Sequence, residues 1–279
     1  MIGYSQAETE KDSSVKIHVD YVASRLATLY EKLRQVIDFQ EDHLLKKNAI
    51  ERVLKRRLFG ADNTAELAHT ILIEVIRGGY FPNDRIPESK IDTVKNFLEK
   101  YLFLFNNLPK ELSSNRKNQI ANWLQGMAAC EIEEMLAPPQ KETALLAYMA
   151  EVMKERIQTA DDITSEEKNL QIFIACKKAL LKSDHILISF KLFKYYYESD
   201  WPDVNFEKMQ NLAQRISVLK SKIDSDIKNP LGKKIFQVIS CYTAPFLVIN
   251  DICAENPLEA ETLFENSQTV EQKLLQAYN

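Results

Sequence analysis

Glycine is scarce in this chain, with six among 279 residues: Gly3, Gly60, Gly78, Gly79, Gly126 and Gly232. Loops that cradle phosphate need closely spaced glycines, so that backbone N–H groups can approach the ligand. Neither G-x-G-x-x-G nor G-x-x-x-x-G-K-[ST] occurs, which counts against a Rossmann dinucleotide domain and a P-loop NTPase. Cysteine is thin as well. Cys130, Cys176, Cys241 and Cys253 stand far apart with no C-x-x-C pair, arguing against a zinc ribbon, a thioredoxin-type site and a disulfide scaffold. Each lies among apolar neighbours and reads as a small buried side chain in a reducing compartment. The hydrolase signatures G-x-S-x-G and H-E-x-x-H are missing, and the four histidines are dispersed.

Charge of one sign is lacking too. A formal net charge of −4 gives no global drive toward nucleic acid or an anionic membrane, so such binding would need a local patch. The first fourteen residues show no basic stretch followed by an apolar one, as a secretory signal would. The most apolar segment, Cys241 to Cys253, is too short to cross a bilayer and contains Asn250 and Asp251. A cytoplasmic protein without a transmembrane segment is the expectation.

What is present is helical pattern. Hydrophobic residues at 45% and charged residues at 27% allow a sizeable core. No segment sustains period-two alternation between turn residues, so the chain reads as all-α, an irregular bundle of about ten helices. Residues 1–13 read as a flexible tail. Pro138-Pro139 is the best candidate boundary, because proline cannot continue a helix and restricts the residue before it. It would divide helical subdomains at 14–137 and 140–279.

Within that frame, Ser14 would cap a helix whose seam is Val15, Val19, Val22, Leu26, Leu29, Leu33 and Val36. Carried straight to Phe59, it would aim Gln40, Lys47 and Glu51 at the core. A break near residues 39–43 is therefore expected, with Ile50, Val53, Leu54 and Leu58 forming a new buried face. Asn63-Thr-Ala-Glu66 resembles a capping box, and Gly78-Gly79 would end the helix it starts. Gly126 is either a weak point or a close-packing contact in a helix capped near Ser113. A second seam comprises Met209, Leu212, Ile216, Leu219 and Ile223. Residues 233–253, apolar in nearly every direction, read as the central helix of the C-terminal half, kinked at Pro245.

The candidate contact surface is the basic run from Lys46 to Arg57. Lys46, Lys47, Arg52, Lys55, Arg56 and Arg57 face a single Glu51 there, and could meet nucleic-acid phosphates or an anionic surface. Equally, they could be the solvated side of an amphipathic helix. Glu66-Leu-Ala-His69 has the spacing by which two side chains one helical turn apart share a metal, but a second such pair is missing. Asp161-Asp162-Ile-Thr-Ser165 fails the D-D-x-x-D spacing of Mg²⁺-binding isoprenoid synthases at Ser165. His43, between Asp42 and the basic run, reads as a surface residue. Phe193, Tyr195, Tyr196, Tyr197 and Trp201 read as core and rim packing, since consecutive helical side chains diverge by about 100°. The stretch from Val15 to about Pro82, and His43 to Leu58 above all, resembles the opening of bacterial helical proteins of unknown function. That resemblance implies no activity, ligand or partner.

With no complete catalytic set and no cofactor implied, the reading is a non-enzymatic helical protein acting through a protein partner or as a homo-oligomer. A nucleic-acid or anionic-surface binder using residues 46–57 is the alternative, and a metal-dependent all-α enzyme comes third.

Overall fold

A computed structural model describes residues 15–19, 39–60, 63–160, 162–197, 201 and 205–255. Among them are ten α-helices and no strand. In chain order they are α1 (Phe39–Arg57), followed by a 3-10 turn at Leu58–Gly60, α2 (Thr64–Arg77), α3 (Lys90–Asn106), α4 (Ser114–Leu136) and α5 (Gln140–Arg156). Then come α6 (Ser165–Leu181), α7 (His185–Tyr197), α8 (Phe206–Lys228), α9 (Pro230–Ser240) and α10 (Thr243–Glu255). The all-α expectation is met. No helix among the described residues is long and apolar enough to cross a membrane.

Helix starts follow local chemistry. Asn63 Oδ1 accepts from the N–H groups of Ala65 and Glu66, Ser113 Oγ from Arg116, Thr164 Oγ1 from Glu167 and Asn205 Oδ1 from Lys208. Each satisfies donors that the first helical turn leaves without an internal partner. Gly79, at φ 66°, ends α2 in the left-handed conformation that glycine adopts without steric cost.

The start of the chain corrects the seam helix. Residues 15–19 are extended, and Lys16 forms an isolated antiparallel bridge with Pro87. Ile17 N–H donates to Ile86 O at 3.0 Å, and Glu88 N–H donates to Val15 O at 2.9 Å. Ile17 and Val19 are buried, whereas Val15 is 68% exposed. Val15-Lys-Ile-His-Val19 alternates β-branched and polar residues, so the same valines satisfy a period of two as well as a step of four. Ser14 and the seam from Val22 to Val36 lie outside the described residues, as does the 1–13 tail. From Phe39 on, α1 runs unbroken, and whether a break precedes it falls on residues outside those described. Its buried face is the expected one, with Ile50, Val53, Leu54 and the adjoining Leu58 all buried.

Helix α4 is the hub. Twelve of its residues between Ile120 and Glu133 are buried, and it packs on α1, α3 and α7. Gly126 is a close-packing contact: a Cβ there would sit 2.6 Å from Ile186 Cγ2 of α7. The large core draws on α1 to α4, α7 and α8 with Ile174 of α6, while a smaller one joins α5, α6, α9 and α10. Both cores use residues beyond Pro138-Pro139, and Phe190 and Ile216 share the large core with Ile50 and Leu124. All five residues of the second seam are buried in that core, so it is spent inside the fold. The apolar helix expected over 233–253 is two helices separated at Cys241 and Tyr242. Of the described residues in this pair, Ile235, Ile239 and Phe246 are buried in the smaller core, Leu231, Phe236 and Leu247 pack against it, and Val238 is exposed. Pro245 falls in the first turn of α10, where its missing N–H costs no internal hydrogen bond.

Candidate functional site

Where α1, α4, α5, α6 and α7 meet, charged side chains converge beneath the surface. His43 of α1 places Nδ1 2.5 Å from Glu133 Oε1 of α4, and Nε2 3.5 Å from Glu142 Oε1 of α5. The hydrogen bond to Glu133, followed by that to Glu142, raises the imidazole to about 9 against the opposing effect of burial. At neutral pH His43 is therefore an imidazolium clamped between two carboxylates, and not the surface residue its neighbours suggested. The same clamp lowers Glu142, through the hydrogen bond from His43.

One turn along α1, Lys47 is 3% exposed and reaches across to the start of α7. Its Nζ donates to Asp184 Oδ2 at 2.5 Å and lies 3.3 Å from Glu51 Oε2. Burial pulls this ammonium down, but Asp184 and then Glu51 more than offset that, leaving it above its ordinary value. Asp184 spends its other oxygen, Oδ1, on the Leu187 N–H at 2.8 Å, which starts α7. Lys191 and Lys194 of α7 both reach Glu134 of α4, at 2.8 and 3.3 Å. Burial acts to raise the Glu134 carboxyl, yet the two lysines together hold it below its usual range.

Lys177 of α6 is the exception. It is 6% exposed and lines the same pocket as His43, Glu133, Glu134, Glu142 and Lys191. Among the described residues no carboxylate or carbonyl forms a hydrogen bond or ion pair with its Nζ, which lies 5.2 Å from the centre of the Phe173 ring and feels the charges of Lys191 and Glu134. Burial, reinforced by repulsion from Lys191, draws its ammonium down to about 7. The pocket encloses about 40 Å³, room for a water or two and not for a metabolite. Sequence spacing held one signal for this residue: Lys177 falls three after Ile174 and three before Leu180, on the buried face of α6. No comparable signal joins His43, Glu133 and Glu142.

The basic run looks different once folded. Lys46 pairs with Asp42 at 2.5 Å, Lys55 with Glu51 at 2.7 Å, and Arg56 and Arg57 with Glu74 at 2.9 and 3.6 Å. Arg52 donates to the Tyr80 hydroxyl at 2.7 Å. With Lys47 buried, the six cations serve the interior and the α1–α2 surface and form no bare stripe. Glu66 and His69 lie exposed on α2, and among the described residues no three His, Cys, Asp or Glu side chains gather to hold a metal. Asp161 lies outside the described residues, and Asp162 is exposed ahead of the Thr164 cap. Of the cysteines, Cys130 and Cys176 are buried, Cys241 is exposed against expectation, and Cys253 lies outside the described residues. The aromatic group packs as its spacing implied: Phe193 and Trp201 are buried and Tyr195 is exposed.

A second feature is apolar. Between α3 and α8 an open groove of about 500 Å³ is lined by Phe97, Phe103, Phe206 and Met209. Phe206, the first residue of α8, is 70% exposed and stands edge-on to Phe103 with ring centroids 5.4 Å apart. Glu99 and Lys100 stand at its rim, and the adjoining depression carries Glu207, Lys208 and Arg215.

No family model, curated protein or solved structure matches this chain. Functional argument therefore rests on the two sites themselves.

Proposed function

We propose that this protein works through protein contacts rather than catalysis, and that the partner its α3–α8 groove fits is a second copy of the same chain. The observation that carries this reading is Phe206. Phe206 is 70% exposed and extends the apolar surface of Phe97, Phe103 and Met209, which a partner would cover. Burying most of such a ring contributes about 1.5–3 kcal/mol. A copy is favoured over a partner of one charge sign because the surround carries both signs, Glu99 and Glu207 against Arg215. A two-fold interface requires such self-complementarity, each residue meeting the mate of its own partner. Cys130, Cys176 and Cys241, the cysteines free among the described residues, fit a reducing compartment, and cytoplasm is the proposed location on that ground.

Sedimentation across a range of protein concentrations tests this. The wild type should shift toward dimer as concentration rises, and Phe206→Glu should remain monomeric with an unchanged circular dichroism melt. A wild type that stays monomeric throughout, or a dimer indifferent to Phe206→Glu, overturns the proposal.

A further inference from the structure

Helices α9 and α10 carry an apolar face that the smaller core does not use. By composition α10 is the most apolar of the described helices, yet Phe246 is its one fully buried side chain among those described. Val248 and Ile249 are half-buried and belong to neither core. Just before them, Val238 of α9 is 48% exposed and Tyr242 in the turn 37%. Tyr148 of α5 borders the same face, exposed and T-shaped against Phe246 at 5.6 Å between ring centroids. Apolar side chains gathered in this way mark a surface that something covers.

The face is flanked by positive charge. Lys234 lies one turn before Val238 on the exposed side of α9, with Lys233 beside it, and neither forms an ion pair among the described residues. Arg156 of α5 stands over the Tyr242 ring at 5.7 Å, but Glu155 is exposed next to it, so the unbalanced charge is that of the two lysines. The occupant therefore has to be apolar on one side and acidic overall.

Residues 256–279 follow α10 directly, lie outside the described residues, and have that character in sequence. Asn256-Pro257 is the chemistry of a fresh helix start, a capping side chain followed by proline at the first helical position. Read at about 100° per residue, Leu263, Val270, Leu274, Ala277 and Tyr278 fall on a single stripe. Glu259, Glu261, Glu265 and Glu271 outnumber the single Lys273. A helix over 257–279 would reach about 35 Å, longer than α10 and able to pass on to α9. A segment tethered by so short a turn also has an effective concentration on the order of millimolar, which favours it over a second copy of the chain. We propose that residues 257–279 fold back as an amphipathic helix over the Val238, Tyr242 and Val248 face of α9 and α10, with their acids toward Lys233 and Lys234.

Photo-crosslinking of the full chain tests this. Benzoylphenylalanine in place of Val238 should crosslink to residues within 257–279, located by peptide mass spectrometry. When ¹⁴N and ¹⁵N chains are mixed before irradiation, every crosslinked pair should carry a single label. Leu274→Asp, a charge in the middle of the stripe, should remove the crosslink. It should also speed amide exchange in α10 by at least about tenfold while leaving α4 protected as before. Crosslinks of mixed label would seat a second copy on the face and overturn the proposal. So would crosslinks to any other segment, none above background, or exchange in α10 that ignores Leu274→Asp.

Discussion

The α1 side of the helix junction and its α6 side bury the same functional group in opposite ways. Lys47 and Lys177 both leave little surface to solvent, at 3% and 6% exposure, and Lys177 is the more densely surrounded by protein. Lys47 meets Asp184 and Glu51 and keeps its charge more firmly than a lysine in water. Lys177 meets only Lys191 and a carboxylate already claimed by others, and it is driven toward neutrality. Depth of burial and oxygen partners together therefore set the state of a lysine.

Replacing Lys177 should have the largest effect, and of unusual sign. A lysine drawn from 10.5 to about 7 costs the fold about 4 kcal/mol at pH 7, so Lys177→Met should stabilise by up to that amount in urea unfolding. If this variant is less stable than wild type, the amine has a partner and the contrast collapses. Lys47→Met should destabilise by about 3 kcal/mol, because it strands Asp184 Oδ2 while Glu51 keeps Lys55; the value stays at the low end because the Asp184 side chain is 37% exposed and can recover water.

The pH dependence separates the two sides again. His43 is raised from 6.5 to about 9, so its contribution is complete below 6.5 and lost as pH climbs through 9. Lys177 is lowered, so its penalty is complete below 7 and relieved as pH climbs toward 10.5. Between pH 7 and 9 these slopes oppose each other at about 1.4 kcal/mol per pH unit apiece. The wild type should be nearly flat there. Lys177→Met should lose about 3 kcal/mol across that window, whereas His43→Gln should gain a similar amount, measured as chemical denaturation at each pH.

Smaller changes sharpen the packing frame around the junction. Gly126→Ala should cost about 2 kcal/mol, since its methyl would overlap Ile186 and push α7 away from α4. Arg56→Glu should change stability by less than about 1 kcal/mol, as expected of an exposed pair with Glu74. If that substitution abolished salt-sensitive binding to a nucleic acid, the basic surface would regain the role its composition suggested.

Helix boundaries were legible because they depend on neighbours in the chain. Asn63, Ser113, Thr164 and Asn205 cap within three residues of themselves, and Gly78-Gly79 stops α2 on the spot. The buried face at Ile50, Val53, Leu54 and Leu58 was legible from periodicity. The extended segment at 15–19 was not, because the decisive hydrogen bonds come from Ile86 and Glu88, some seventy positions away. The apolar run after Lys233 suggested one buried helix, and only the turn at Cys241 and Tyr242 shows how its side chains divide. The junction was hidden for a stronger reason. His43 lies 90 positions from Glu133, and Lys47 lies 137 from Asp184, so no local window contains either pair.

That separation bears on how the molecule comes apart. Asp184 gives one oxygen to the first turn of α7 and the other to Lys47, so the ion pair closes only when two distant halves of the chain have docked. Contacts of such long sequence separation carry a loop-closure cost, and we expect this pair to close after the rate-limiting barrier of folding. Interactions missing from the transition state act on the escape rate from the native state. In stopped-flow kinetics, Lys47→Met should speed unfolding while leaving the refolding limb almost unchanged, which makes the junction a latch on the assembled fold and not a seed for it.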